Sequence, residues 1–353
     1  MEKIDKKIFC TLFFSLTATI TGVGIVVPLL PVYAHDLGAS GFYIALIFGA
    51  FSLSRSFFLP YFGRKSDKKG RKPFIVIGLL AYTVISFGFI LSQNVETLIV
   101  IRFVQGIASA MIMPVTQAYV GDITPAGNEG FSMGLFNISV FFGLSIGPLA
   151  GGVIKDTFTL DAAFGCMGLF AFAAFFMAFM FLPPARFERA VTRAKPPANW
   201  GPLLRDPKLI GLLIFRFAYT GCIGMIWSFL PVFAESKFSF SSSTIGILVM
   251  LGVFISGLMQ TPMGYMADRL NRRSMVIIGG LIVSSGIFLL GWADGFRGMF
   301  IANVLFGLGG GISMPAVMAL AVEEGNKKDA MGSVMALLTL DRKSTRLNSS
   351  HYS

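Results

Sequence analysis

The chain has 353 residues, of which 54% are hydrophobic and 13% charged, with a formal net charge of +11 and a mean hydropathy of +0.74. Ordinary proteins use about 45–50% apolar residues even with glycine counted, so a soluble fold cannot hide this much apolar surface. Three cysteines and two histidines give neither a disulfide framework nor a metal-ligand spacing.

Lys3, Lys6 and Lys7 precede the first apolar run. No small-residue cleavage site follows it, and it is too long for the core of a signal peptide, so 8–33 reads as a spanning helix. Further spans read at 42–62, 73–93, 97–120, 131–154, 162–182, 208–234, 243–266, 274–293 and 297–321, with an eleventh starting near Asp329. A length of about 20 apolar residues crosses a hydrocarbon core. Each span must be helical, because lipid offers backbone amides no partner. Cys10, Cys166 and Cys222 fall within spans and are expected to pack there. The segment "DRKSTRLNSSHYS" places Asp341, Arg342 and Lys343 where apolar residues should continue. It is expected to be a non-native tail standing in place of the rest of the eleventh span and a twelfth.

The basic residues are strongly segregated. With the N-terminus inside, twenty of the 29 lie on the cytoplasmic side, six of them in "GRKSDKKGRK", and three lie outside (Lys155, Lys237 and Arg297). This is a positive-inside pattern, so the charge sets topology and does not point to nucleic acid. Between Pro183 and Lys208 the chain is polar, basic and proline-rich, as a linker is.

The chain repeats itself. An offset of 201 aligns Gly63 with Gly264, Asp67 with Asp268, Arg71 with Arg272, Arg102 with Asn303, Gly106 with Gly307, Pro114 with Pro315 and Asp122 with Glu323. Two homologous halves, each planned as six helices, follow. The expected organisation is a first bundle over 1–183, a linker over 184–207, a second, shortened bundle over 208–340 and the tail over 341–353. Two bundles joined this way describe a secondary transporter.

Four motifs carry a family resemblance. Gly63-x-x-x-Asp67-x-x-Gly70-Arg71-Lys72 stands between spans two and three, with a weaker copy at 264–273 in which Asn271 replaces the second glycine. Arg102-x-x-Gln105-Gly106 lies in span four and "GLSIGPLAGG" (Gly143 to Gly152) in span five. "TGVGIVVPLLP" in span one holds Gly22, Pro28 and Pro31. The chain resembles the major facilitator superfamily, and most closely its drug:proton antiporter branch. That resemblance implies an all-α polytopic membrane protein of two six-helix bundles with inverted repeats, here ten spans plus the start of an eleventh.

It also implies roles. Asp67 would cap the start of the eleventh span and pair with Arg71 and Asp122, in a latch with Gly63, Gly70 and Lys72. Gly264, Asp268 and Arg272 would form the second copy. Arg102, with Gln105, matches the position linked to proton transfer; it also lies about six residues from Glu96, within reach of the membrane surface. Arg55 and Arg216 are expected to snorkel to the cytoplasmic surface. Gly143, Gly147 and Gly151 repeat every four residues and form a groove in which backbones can touch. With Pro148, a helix-bending residue, and Gly152, they suit a hinge between the halves. Gln117, Asn137, Trp227, Gln260 and Asn303 are candidate substrate contacts in a pocket lined by spans 1, 4, 5, 7, 8 and 10.

One feature departs from the family. None of the eighteen carboxylates lies in the middle of a span, and Asp36 and Asp156 are the nearest candidates for a proton carrier. A neutral or anionic substrate suits such a pocket better than an organic cation. The reading is a monomeric secondary-active efflux transporter of the cell membrane, N-terminus cytoplasmic, moving a small organic molecule with no cofactor and a proton or ion gradient as its energy source. Uptake or exchange of an organic anion is the alternative, and a non-transporting receptor is a third. No nucleotide-binding loop or catalytic cluster supports an enzyme.

Overall fold

The computed structural model describes residues 6–124, 129–183, 205–327 and 334. Of the expected eleventh span only residue 334 is among them, and the tail lies outside. So does the linker except for 205–207.

Among the described residues there are eleven helices and no strand. They are α1 (Lys6–Val26), α2 (Leu29–Asp36), α3 (Gly41–Lys69), α4 (Arg71–Leu91), α5 (Val95–Ile123), α6 (Glu129–Thr157), α7 (Leu160–Phe181), α8 (Pro207–Phe238), α9 (Ser242–Ala267), α10 (Arg272–Gly291) and α11 (Phe296–Lys327). Among the described residues, ten spans are long and apolar enough to cross a membrane, with α1 and α2 together forming the first. This is an all-α polytopic membrane protein, as the hydropathy pattern requires. The first span breaks before Pro28, which cannot donate to the ladder. Most spans extend several residues beyond the apolar stretch: α3 continues through the basic run to Lys69 and α11 to Lys327. Long basic side chains permit this, since their stems lie along apolar surface while the charged heads reach water.

Several hydroxyls inside the spans are satisfied locally. The hydroxyls of Thr11, Thr19, Thr83 and Thr116 each donate to the carbonyl four residues back. At helix starts, Asn94 accepts from the Thr97 amide at 2.8 Å and Thr159 from the Ala162 amide at 3.1 Å. Cys10, expected to pack, is instead exposed, while Cys166 and Cys222 are half-buried. An apolar run fixes that a residue lies in a span but not which face it takes.

Packing divides these helices into two compact units. One holds α1–α7 with Trp227–Met250, the end of α8 and the start of α9; the other holds the remainder of α8 and α9 with α10 and α11. In the first, α1 packs on α6 and α7, and α4 on α5 and α7. Phe89 and Phe164 stack at 5.2 Å in its core.

The internal repeat is visible as geometry. A Cβ on Gly78 of α4 would lie 2.7 Å from the Ile112 side chain of α5, and one on Gly279 of α10 would lie 2.8 Å from Ser313 of α11. Gly106 presses on the Phe51 carbonyl and Gly307 on that of Gly252. All four relationships are related by the offset of 201. Lipid supplies no hydrophobic drive between helices, so close backbone approach at small residues takes its place.

Candidate functional site

The loop "GRKSDKKGRK" is a single knot around one arginine. The helix of α3 runs on through Asp67, Gly70 turns the chain at φ +88°, and α4 starts at Arg71. The Arg71 guanidinium lies 2.5 Å from Asp67 Oδ1 and donates from Nε to Asp122 Oδ2 at 3.0 Å. It also donates to Ser66 Oγ at 2.7 Å, and Ser66 in turn donates to the Gly63 carbonyl. The expected pairing of Asp67, Arg71 and Asp122 is thus present as geometry. The start of the eleventh span, which Asp67 is expected to cap, lies outside the described residues. Lys72 lies over the Phe179 ring at 5.7 Å.

The second half ties the same knot. Arg272 meets Glu323 at 3.0 Å and Asp268 at 3.7 Å, and its Nε donates to the Ala267 carbonyl at 2.9 Å. Lys327 adds a further contact to Glu323. The knots differ in exposure: Arg71 and Asp122 side chains are both 14% exposed, whereas Arg272 and Glu323 are 30% and 39% exposed. Buried charges interact more strongly, so the first knot is the tighter. Next to the second, Glu324 is buried at 7% and meets Lys208 at 3.4 Å and Lys327 at 3.5 Å. A cavity of about 600 Å³ in this unit is bounded by Lys208, Phe215, Asp268, Arg272, Val276 and Glu324. None of the candidate substrate contacts lines it.

Arg102 is the most deeply buried cation among the described residues of the first unit, 4% exposed. Its guanidinium lies 4.5 Å from the ring centre of Phe51 and 5.1 Å from that of Phe48, and it donates to Gln105 Oε1 at 2.7 Å. Its Nε has no partner and no carboxylate pairs with it among the described residues. Reach toward the surface near Glu96 is therefore not realised, because the aromatic pair holds the charge inside. Asn303, its repeat mate, is also buried: Nδ2 donates to the Met299 carbonyl at 2.9 Å and Oδ1 is unpartnered. Arg55 and Arg216 do not simply snorkel either. Arg55 donates to the Met113 sulfur at 3.4 Å and Arg216 to the Met314 sulfur at 3.0 Å, and these two methionines are again 201 residues apart. Gln117 is exposed, Trp227 and Gln260 are half-buried, and the Asn137 side chain lies outside the described residues. Asp36 sits exposed at the last residue of α2.

The glycine helix α6 is pressed on two sides. A Cβ on Gly143 would lie 2.9 Å from Ile20, one on Gly147 would lie 2.6 Å from the Gly24 Cα, and Gly151 abuts Ile25. These three face α1. On the other side Gly152 abuts the Ser242 carbonyl of α9, and Gly246 of α9 abuts the carbonyl of Pro148. Four residues beyond Gly152, Asp156 accepts from the backbone amides of Ser242 and Ser243. Spacing alone did not reveal that contact, nor the Phe48–Phe51 pair or buried Glu324.

The profile of the Major Facilitator Superfamily matches residues 12–340. The chain belongs to that superfamily. It is therefore a membrane transporter and not an enzyme. A superfamily relative, an uncharacterised MFS-type transporter of Methanocaldococcus jannaschii, is 29% identical over 339 residues, 94% of this chain and 87% of its own length. Multidrug resistance protein 1 of Bacillus subtilis is 26% identical over 342 residues, 96% of this chain and 87% of its own. Among solved superfamily folds, a bacterial homologue of the human lysosomal transporter Spinster, inward-facing and occupied, superposes with a TM-score of 0.78 at 14% identity. That match covers 96% of this chain and 78% of the other.

Proposed function

We propose that this transporter is secondary-active and exports a small organic molecule, drug-like or metabolic, by alternating access of two bundles, 1–183 and 208–340, joined by 184–207. In this reading it works as a monomer in the cell membrane with its N-terminus and basic loops in the cytoplasm, which the segregation of its lysines and arginines supports. The similarity to a multidrug resistance protein supports efflux.

One observation carries the substrate class. Arg102 is buried between two phenylalanines without a carboxylate partner, so the first unit holds an uncompensated positive charge inside the membrane. An uncompensated buried charge is costly and marks a functional position. An anionic solute offsets that charge, a neutral one is not repelled by it, and an organic cation is. Proton coupling, where present, runs through Arg102 and Gln105 with Asp36 at the end of α2. The same arginine suits uptake or exchange of an organic anion, which is the second reading.

Proteoliposomes with and without an imposed pH gradient, offered neutral, anionic and cationic amphipathic dyes, test this. Neutral or anionic dyes are expected to move, more with the gradient, and Arg102→Ala to lose them. Gradient-independent movement of anions favours the exchanger. Movement of cations alone overturns the substrate class.

A further inference from the structure

We propose that Asp156 is a positioning residue for transport: its carboxylate clasps the first turn of α9 to the end of α6, at the end of the spans opposite the basic loops, and its release accompanies opening of that end. The inference deepens the alternating-access part of the reading above and is independent of the substrate.

The geometry is that of a helix cap supplied largely by a different helix. The first amides of a helix have no intrahelical partner. In α9, Asp156 Oδ1 accepts from the Ser242 amide at 3.0 Å, and Oδ2 accepts from the Ser243 amide at 2.7 Å and the Ser243 hydroxyl at 2.5 Å. The Thr244 amide goes to the hydroxyl of Ser241, whose carbonyl accepts the first intrahelical bond, from Ile245. Of the three amides that open the helix, two are therefore satisfied by α6. A carboxylate at this place also meets the positive end of the helix dipole. Beside it, Lys155 of α6 lies 3.8 Å from Glu235 of α8.

Sequence pattern ties this contact to the loop knots. Gly63 and Asp67, Gly264 and Asp268, and Gly152 and Asp156 all follow G-x-x-x-D near the end of a helix. In the first two, an arginine four residues beyond the aspartate pairs with it. In the third that position is Leu160, and the aspartate caps a neighbouring helix instead. The glycine has a matching task. Gly152 touches the Ser242 carbonyl so closely that no side chain fits, and this places Asp156, one turn on, against the helix start. At Gly63 an added Cβ meets nothing within 4 Å among the described residues. Asp156 is exposed, so water can replace each of its bonds at small net cost, which suits a reversible clasp.

The test uses the full chain in membranes with Cys10, Cys166 and Cys222 replaced, and one reporter cysteine at buried Ile245 or at exposed Gln117. A membrane-impermeant maleimide reads accessibility and needs no substrate. Asp156→Ala is expected to raise labelling at Ile245→Cys about fivefold, the equilibrium weight of one lost cap, and to lower it at Gln117→Cys. Asp156→Glu should restore most of the original pattern. Ser243→Ala, which removes one of three bonds, should shift both reporters less and carries the test if Asp156→Ala does not fold. Unchanged labelling at both reporters overturns the proposal. A rise at Ile245→Cys with none of the reciprocal fall at Gln117→Cys also overturns it, since that is local fraying of a merely structural cap.

Discussion

Asn271 stands 201 residues beyond Gly70 and starts α10 with its side chain, where Gly70 starts α4 with its backbone. Gly70 adopts φ +88°, which side chains disfavour. Asn271 keeps φ −68° and accepts from the Arg273 and Ser274 amides at 3.0 and 3.4 Å. The substitution that weakens the motif in the second half is thus a different solution to the same turn.

Both positions should lose stability to alanine, but for different reasons. Asn271→Ala is expected to cost about 1 kcal/mol through the lost cap, and Asn271→Gly only a few tenths. Gly70→Ala should cost about 1–3 kcal/mol, because φ +88° with ψ 157° is a conformation essentially confined to glycine. Thermal unfolding of the purified protein in detergent measures all three.

The knots should differ in strength. Asp122→Asn leaves the Arg71 charge largely buried with a weaker partner, for which a loss of about 1–3 kcal/mol is expected. Glu323→Gln acts on a more exposed network and should cost about 0–1 kcal/mol. Chemical denaturation of each variant, with a double-mutant cycle against its arginine, decides the order.

Arg102 should not tolerate lysine. Its guanidinium spans two aromatic faces and a glutamine oxygen, a planar arrangement that an ammonium does not reproduce. Transport by Arg102→Lys is expected to fall at least about tenfold, the effect of losing a cation–π contact with its hydrogen bond. Full activity of Arg102→Lys in the dye assay would show that charge alone suffices.

Two glycines four residues before an aspartate or on its helix should separate packing from motion. Gly147→Ala drives a methyl onto the Gly24 backbone and should destabilise by about 1–3 kcal/mol. Gly63→Ala meets open space in this structure and should gain up to about 1 kcal/mol of helix propensity. If the loop must approach another helix during transport, Gly63→Ala will nevertheless slow it. Parallel melting and transport measurements distinguish the two effects.

Hydropathy made the ten spans legible, and the offset of 201 made the knots legible, because a repeated charge pair must satisfy itself twice in the same way. The limits came from direction. Arg102 lies near Glu96 in sequence, yet its side chain turns inward to Phe48 and Phe51 of α3, a contact no spacing within α5 encodes. Asp156 looked like one acid at the end of a span, since its partners lie 86 and 87 residues away. The ends of α3 and α11 ran long because lysine and arginine stems remain apolar beyond the last hydrophobic residue.

The glycine crossings have a mechanical meaning. Where α4 meets α5, and where α10 meets α11, no room remains for a methyl group. Surfaces that close have no slack for sliding, so each pair behaves as a single stiff beam. Such beams favour pivoting over sliding, which puts the work of transport on the polar contacts between helices that can break and form again.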